Sequence, residues 1–369
     1  AYRRQRQMCI RDSEYYNVSI IDKEAVLALA RKLQIDGIMS FAVDPGVVTA
    51  AYVQEQMGLP GNPYESVCIL QNKDRFRNFL SQHGFTVPKA KGFSSIEEAL
   101  GETYWYPWPV IVKPTDAAGS KGVTRVDKLE DLRSALEYAF EHSISKRVIV
   151  EEFIEKVGCS SDTDSFSVDG KLKFISFSAQ RFDEDAANPY TPSAYSWPST
   201  FTVAQETELK AEIQRLLTLL GMRTSIYNIE TRVGTNGKLY IMEVSPRGGG
   251  NRLSEMLHFS TGVDLITNAV RAAVGDEVVG IEQKPYNGHW AEIILHAGKA
   301  GHFVGLDINK SFYETHVFQT DLWVKEGDKV SSFNGANDAI GTLVLKFDSE
   351  KELVYTLAHQ ADYINVVIK

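Results

Sequence analysis

The sequence predicts an α/β segment, then an α+β domain, then a β-rich tail, and three patterns predict it. Residues 14–72 set apolar residues at helical spacing ahead of a short apolar run, as in the rear part of a parallel α/β domain. Between about residues 73 and 275, β segments rich in Val and Ile alternate with helices and glycine-marked turns. Residues 285–369 are β-rich, with a turn at Glu326-Gly327-Asp328. At 369 residues the chain is longer than one core usually organises, so subdomains with shared interfaces are expected.

Residues 1–13 are basic and follow neither helical nor strand periodicity. They lack the apolar stretch of a secretory signal and look like translated sequencing-adapter read-through or a disordered tail, so they are set apart from the fold. Ala25, Val26, Leu29, Ala30 and Leu33 mark a first helix, and Asp36-Gly37 leads into Ile38-Met39-Ser40-Phe41, expected as a buried strand. A helix from about Pro45 to Met57 stops at Gly58-Leu59-Pro60-Gly61. Asn72 to His83 is a helix with Lys73 in its first turn, followed by an extended segment at Pro88.

Next, Trp108 to Pro114 reads as a β run ending on Lys113, and Asp116 to Val123 as a glycine-punctuated loop. A helix at about 128–142 precedes the strand Arg147 to Glu151, and together these make a small α+β lid over about 90–155. Asp164–Val168 and Leu172–Ser178 are strands around the Asp169-Gly170 turn. A polar, proline-containing stretch from Asp183 to Ser199 is expected as a long functional loop. After a helix at 203–220, strands Tyr227–Val233 and Lys238–Val244 flank Gly234-Thr235-Asn236-Gly237.

A net charge of −9 argues against wholesale nucleic-acid binding, which needs a basic face to displace counterions. Cys9, Cys68 and Cys159 are odd in number and far apart, so they form neither a disulfide framework nor a zinc site, and a reducing cytoplasm fits them. No apolar run approaches the roughly 18 residues of a membrane span.

The strongest chemical pattern is the pair of segments Asn228-Ile229-Glu230 and Glu243-Val244-Ser245-Pro246-Arg247. Strands joined by a short turn can set Glu230 opposite Glu243, and facing carboxylates repel unless a cation lies between them. Mg²⁺ suits such oxygen ligands and bridges carboxylates to phosphates, and Ser245 adds an oxygen on the same face. Arg247 and Gly248 to Gly250 follow with a guanidinium fork and bare backbone N–H groups for a phosphoryl group or carboxylate. A second pattern joins Lys73, Lys113 and the Gly119-Ser120-Lys121-Gly122 loop. A lysine ending an apolar strand needs an anion, such as a phosphate, to offset its burial. That loop is neither a Walker A sequence nor a dinucleotide fingerprint. A third pattern is Glu151-Glu152-Phe153-Ile154, where the apolar pair can wall an adenine ring and the acids can reach sugar hydroxyls. Each pattern alone also fits an ordinary hairpin or strand end; their succession gives the weight.

That succession, from about Lys73 to Gly275, resembles the ATP-grasp superfamily. The resemblance implies an ATP-grasp fold over 73–275, preceded by a truncated parallel α/β domain at 14–72 and followed by a β-rich C-terminal domain at 285–369. It implies ATP and Mg²⁺, with Mn²⁺ able to substitute. Lys73 and Lys113 become phosphate ligands, Gly119, Ser120, Lys121 and Gly122 a clamp over the β/γ-phosphates, and Glu151 to Ile154 the adenine hinge. Glu230, Glu243 and Ser245 become metal ligands, and Arg247, with Lys121, serves the transfer itself. The ribose acid is Asp162 or Asp164, with Asp162 favoured. Ser245 stands where the family most often has asparagine, and the preceding domain lacks its first strand and glycine-rich turn, so a chain truncated at its N-terminus is expected.

The closest resemblance is to carboxylate–amine ligases near the purine-biosynthetic and biotin-carboxylase branches, forming a carbon–nitrogen bond through an acylphosphate. A bicarbonate-using carboxylase and a non-catalytic ATP-binding protein are the alternatives. The expected partners are a small carboxylate and an amine, without nucleic acid or membrane, and a homodimer is the assembly entertained. The acceptor pocket is expected around the Asp183–Ser199 loop, with Arg181, Tyr190, Tyr195 and Trp197, and at the Gly248 to Arg252 turn.

Overall fold

The structure is a computed structural model that describes residues 14–117 and 119–369; the expected tail at 1–13, with Cys9, lies outside the described residues. Helix α1 (Lys23–Leu33) starts where Asp22 accepts from the Ala25 N–H, and it packs Leu27 and Ala30 against Val53 of α2 (Asp44–Met57). Gly58 ends α2 in the left-handed region, at φ 66°, where glycine carries no Cβ penalty. Next come α3 (Tyr64–Gln71) and α4 (Lys73–Gln82). The extended backbone of Asn72 separates them, and its side chain caps α4 by accepting from the Arg75 N–H at 3.0 Å.

The strand expected at Ile38–Phe41 does not form. Among the described residues of 14–72 there are helices and no strand. The apolar run finds no neighbouring strand edge; instead, Gln54 donates to the Ile38 carbonyl at 2.7 Å and the Ala42 N–H donates to Gly248. Met39 and Phe41 still pack onto the main core.

The stretch expected as a lid follows as β1 (Ala90–Phe93), α5 (Ile96–Gly101), β2 (Val110–Pro114), β3 (Thr124–Val126), α6 (Leu132–His142) and β4 (Val148–Glu152). Its sheet runs β1-β4-β2-β3 and closes over Phe93, Val110, Val112, Leu136 and Val150. Then come β5 (Ser161–Val168), β6 (Lys171–Phe174), β7 (Ala179–Phe182), β8 (Pro192–Trp197), α7 (Val203–Leu219), β9 (Ser225–Val233) and β10 (Leu239–Ser245). Helices α8 (Leu253–Thr261) and α9 (Leu265–Val274) lead into β11 (His289–Leu295), β12 (Gly301–Ile308), α10 (Lys310–His316) and β13 (Val317–Leu322). The chain closes with β14 (Lys329–Val330), β15 (Gly341–Phe347), α11 (Glu350–Ala358) and β16 (Ile364–Ile368).

Three further sheets result, ordered β10-β9-β5-β6, β13-β15-β11-β8-β7 and β14-β12-β16, and all named strand pairs are antiparallel. The central sheet β10-β9-β5-β6 has apolar residues on both faces. Tyr227, Ile229 and Val244 meet Phe76, Leu80, Ile213 and Leu216 of α4 and α7. Phe166 and Ile226 meet α8 and α9, together with Tyr195, Trp197, Trp290 and Val344 of the five-stranded sheet.

The Asp183–Ser199 stretch is not a continuous loop. Its second half is β8, paired with β7 and β11, and Tyr195 and Trp197 are buried in the core. The aromatics at 195 and 197 alternate with Ala194 and Ser196, a period-two pattern hidden by its flanking prolines. The strand expected at Leu172–Ser178 stops at Phe174.

Candidate active site

A cleft of about 580 Å³ lies among the lid, the central sheet and the start of α2. Lys73, Lys113, Gly119, Ser120, Lys121, Glu151, Glu152, Phe153, Ile154, Asp162, Glu230, Glu243 and Arg247 all line it. Residues from distant parts of the sequence therefore meet on one surface. Gly122 and Ser245 do not line it. Gly122 lies beneath the loop at φ 72°, and a Cβ there would stand 2.8 Å from Pro114 Cγ, so both backbone and space require glycine. The Ser120 hydroxyl donates to the Tyr190 carbonyl at 3.0 Å, tying this loop to the stretch before β8.

Glu243 stands directly opposite Glu230. The strands reach this register through a bulge: Ile241 pairs with Thr231 and Glu243 with Glu230, leaving Met242 as the extra residue on β10. On the next strand Asp162 pairs with Glu230, so three acids occupy one row across β10, β9 and β5. Their carboxylates do not converge on one point; among the described residues no three His, Cys, Asp or Glu side chains do. Lys73 Nζ lies 3.5 Å from Glu243 and Arg232 lies 3.3 Å from Glu230. Mg²⁺ takes one or two carboxylates and completes its shell with water and phosphate, so the Glu230–Glu243 donor set fits it without a third acid.

Burial, followed by the negative charge of Glu230, pushes Asp162 up to about 7. Asp162 accepts from Asn228 Nδ2 at 2.8 Å and from the Tyr195 hydroxyl at 3.2 Å. Asp164, the other acid left open for the ribose, does not line the cleft. It is fully buried and accepts from the Gly249 N–H at 2.8 Å and from the Ser254 hydroxyl, which anchors the glycine turn after β10. Burial raises Asp164 to about 6 against those hydrogen bonds.

Ser245 and Arg247 share a partner that sequence reading missed. Asp44, in the first turn of α2, accepts from the Ser245 hydroxyl at 2.9 Å and takes both prongs of the Arg247 guanidinium at 2.8 and 2.7 Å. Gln71 also donates to Ser245 at 2.8 Å. Burial raises the Asp44 carboxyl, and the charge and hydrogen bonds of Arg247 outweigh it and hold the acid below its ordinary range. Nothing local in Asp-Pro-Gly predicts a contact 203 residues away.

Glu151, read as part of the hinge, turns its carboxylate inward. It bonds Lys113 and, at 2.9 Å, Arg77 Nε. Burial would raise this acid, but the Arg77 and Lys113 charges hold it at about 2. Arg77 was also missed; it lies one helical turn beyond Lys73 and is fully buried. Glu152 accepts from the Lys89 N–H at 3.2 Å, and the Arg125 guanidinium stands 4.4 Å above the Phe153 ring. Of the expected acceptor residues, Tyr190, Tyr195, Gly250 and Asn251 line the cleft. Arg181, Trp197 and Arg252 do not: Arg181 donates to Ser196 at 2.6 Å, Trp197 is core, and Arg252 is held by Glu255, Gln319 and Thr342.

Among the described residues no helix is long and apolar enough to cross a membrane. Residues 106–255 match the family described as ATP-grasp domain. The carbamoyl phosphate synthase large chain of Thermoanaerobacter sp. (strain X514) is 24% identical over 249 residues, 66% of this chain; the chain spans 22% of that relative's length. The structure of an L-amino acid ligase from Bacillus licheniformis superposes with a TM-score of 0.80 at 20% identity, covering 94% of this chain and 86% of that one. The biotin carboxylase domain of the Hydrogenobacter thermophilus 2-oxoglutarate carboxylase, solved with MgADP, ADP and bicarbonate, superposes at 0.71 and 16% identity, covering 96% and 81%. At these identities the likeness of structures shows the fold alone.

Proposed function

Since the chain carries an ATP-grasp domain, we propose that it is a Mg·ATP-dependent ligase that joins a carboxylate to an amine and releases ADP and phosphate. The observation that carries this reading is the cleft itself. It gathers Lys73, Lys113, Lys121 and Arg247 beside a pair of carboxylates in direct register. Such a site neutralises phosphate charge and needs no nucleophilic side chain.

In this reading Lys73 and Lys113 bind the nucleotide phosphates, the Gly119–Gly122 loop covers them, and Phe153 and Ile154 wall the adenine. Glu230 and Glu243 would hold Mg²⁺ or Mn²⁺, whereas the Ser245 hydroxyl, engaged by Asp44 and Gln71 away from the cleft, would not. When bound, the metal supplies charge neutralisation on the phosphates and fixes their orientation. Arg247 orients the substrate carboxylate, whose oxygen attacks the γ-phosphorus as the bond to the β,γ-bridging oxygen breaks, giving an acylphosphate and ADP. The amine then attacks the acyl carbon, phosphate leaves and the nitrogen gives up a proton to solvent. Asp162 faces the ribose, and Tyr190, Tyr195 and Asn251 face the acceptor.

The similarity of fold to an L-amino acid ligase supports the carboxylate–amine reading. The bicarbonate in the carboxylase structure supports, as a second reading, transfer to bicarbonate. A phosphate-release screen of pooled amino acids and carboxylates with Mg·ATP separates the two. The ligase reading expects release that requires a carboxylate and an amine together, without bicarbonate. It also expects Glu243→Ala to lower that rate about a hundredfold, the size of about 3 kcal/mol of lost charge stabilisation. Release that needs bicarbonate alone, or a variant equal to the parent, would overturn the reading.

A further inference from the structure

We propose that Arg77 is the positioning residue of this site: its guanidinium leaves the Arg77–Glu151–Lys113 trio one net positive charge beside the cleft and holds the strand bulge that sets Glu243 opposite Glu230. The inference rests on the reading of the cleft as a Mg·ATP site.

Arg77 stands four residues after Lys73 on α4, on the same helix face, with only 3% of its surface exposed. Its Nε donates to Glu151 Oε2 at 2.9 Å and its Nη1 donates to the Met242 carbonyl at 2.7 Å. The other Glu151 oxygen takes Lys113. One fork therefore joins the helix that carries Lys73, the lid strand beside Lys113 and the strand that carries Glu243.

Charge gives the first consequence. Two cations face one carboxylate, so the trio keeps one net positive charge, and Lys113 lines the cleft. Without Arg77, Glu151 would cancel Lys113, and an incoming phosphate would meet a neutral pair.

Register gives the second. Met242 is the extra residue of the β10 bulge. Without it Met242 would stand opposite Glu230 and Glu243 opposite Ile229, and the acid pair would be out of line. A buried carbonyl in a bulge needs a donor, and Arg77 supplies it. A lysine at 77 would keep the charge but lacks the planar fork that serves Glu151 and Met242 together.

The test compares the parent with Arg77→Met, Arg77→Lys and the double variant Arg77→Met/Glu151→Gln, by equilibrium titration with ADP in EDTA and again with Mg²⁺. Arg77→Met is expected to bind ADP roughly tenfold more weakly in EDTA. The double variant is expected to recover most of that loss, because Glu151 no longer cancels the charge of Lys113; a merely structural role would give no such rescue. Arg77→Lys is expected to hold ADP like the parent in EDTA and to lose most of the gain that Mg²⁺ brings.

Arg77→Met within about twofold of the parent under both conditions, or a double variant no tighter than the single one, overturns the proposal. If Arg77→Met does not fold, Arg77→Lys carries the test, and an undiminished Mg²⁺ gain overturns the proposal. A parent that binds no ADP under either condition overturns instead the Mg·ATP reading of the site.

Discussion

An ammonium at the end of an apolar strand needs an anion, and at Lys113 the protein supplies one from within, Glu151, itself shared with Arg77. The acid is held at about 2, below its unfolded value near 4.5. A depressed carboxylate contributes stability that is complete above the unfolded value and lost as pH falls through the folded one. Between pH 4.5 and about 2 the parent is therefore expected to lose more thermal stability than Glu151→Gln, read as Tm against pH; parallel curves would contradict this. Sequence reading found the lysine and its need for an anion but looked for the anion in a ligand. The opposition of Glu230 and Glu243 was legible because two strands and a short turn leave few registers. Asp44 and Arg77 were not legible, since Asp44 meets Arg247 across 203 residues of chain, Arg77 meets Glu151 and Met242 across 74 and 165, and neither sits in a motif.

Among the elements, the glycine loop of the lid and the helix α7 separate site from scaffold. Gly122→Ala meets both a left-handed backbone and a close contact with Pro114. It is expected to cost about 1–2 kcal/mol of stability and to weaken nucleotide binding with it, because the loop above it carries Ser120 and Lys121 into the cleft. Ile213→Ala on α7 removes a fully buried side chain under the central sheet. It is expected to cost about 2–5 kcal/mol in denaturant melts while leaving the affinity of the folded protein for ADP unchanged. A variant that lost affinity at constant stability would contradict this division. Helices α2, α4 and α7 and the β9–β10 hairpin were readable from periodicity and punctuation. The strand β8 was not, because Pro192 and Pro198 gave its polar stretch the look of a loop. The run Ile38–Phe41 was misread for the opposite reason, as an apolar segment becomes a strand only where another strand edge awaits it.

At the scale of the molecule, the lid sheet, the central sheet and the segment before α2 each contribute to one cleft, and ion pairs stitch them: Arg247 to Asp44, Arg77 to Glu151 and Arg147 to Asp74. The broad order of parts, helices first, a mixed middle and a β-rich end, was legible in the sequence. Which residues those parts press together was legible only where the resemblance to ATP-grasp proteins named them. The central claim is that a divalent cation is held with nucleotide at Glu230 and Glu243. Mn²⁺ titration followed by electron paramagnetic resonance, with and without ADP, tests it most directly. The account predicts tight Mn²⁺ binding that depends on ADP in the parent, lost in Glu230→Gln/Glu243→Gln while ADP still binds in EDTA. A double variant that takes up Mn²⁺ with ADP as the parent does would contradict it.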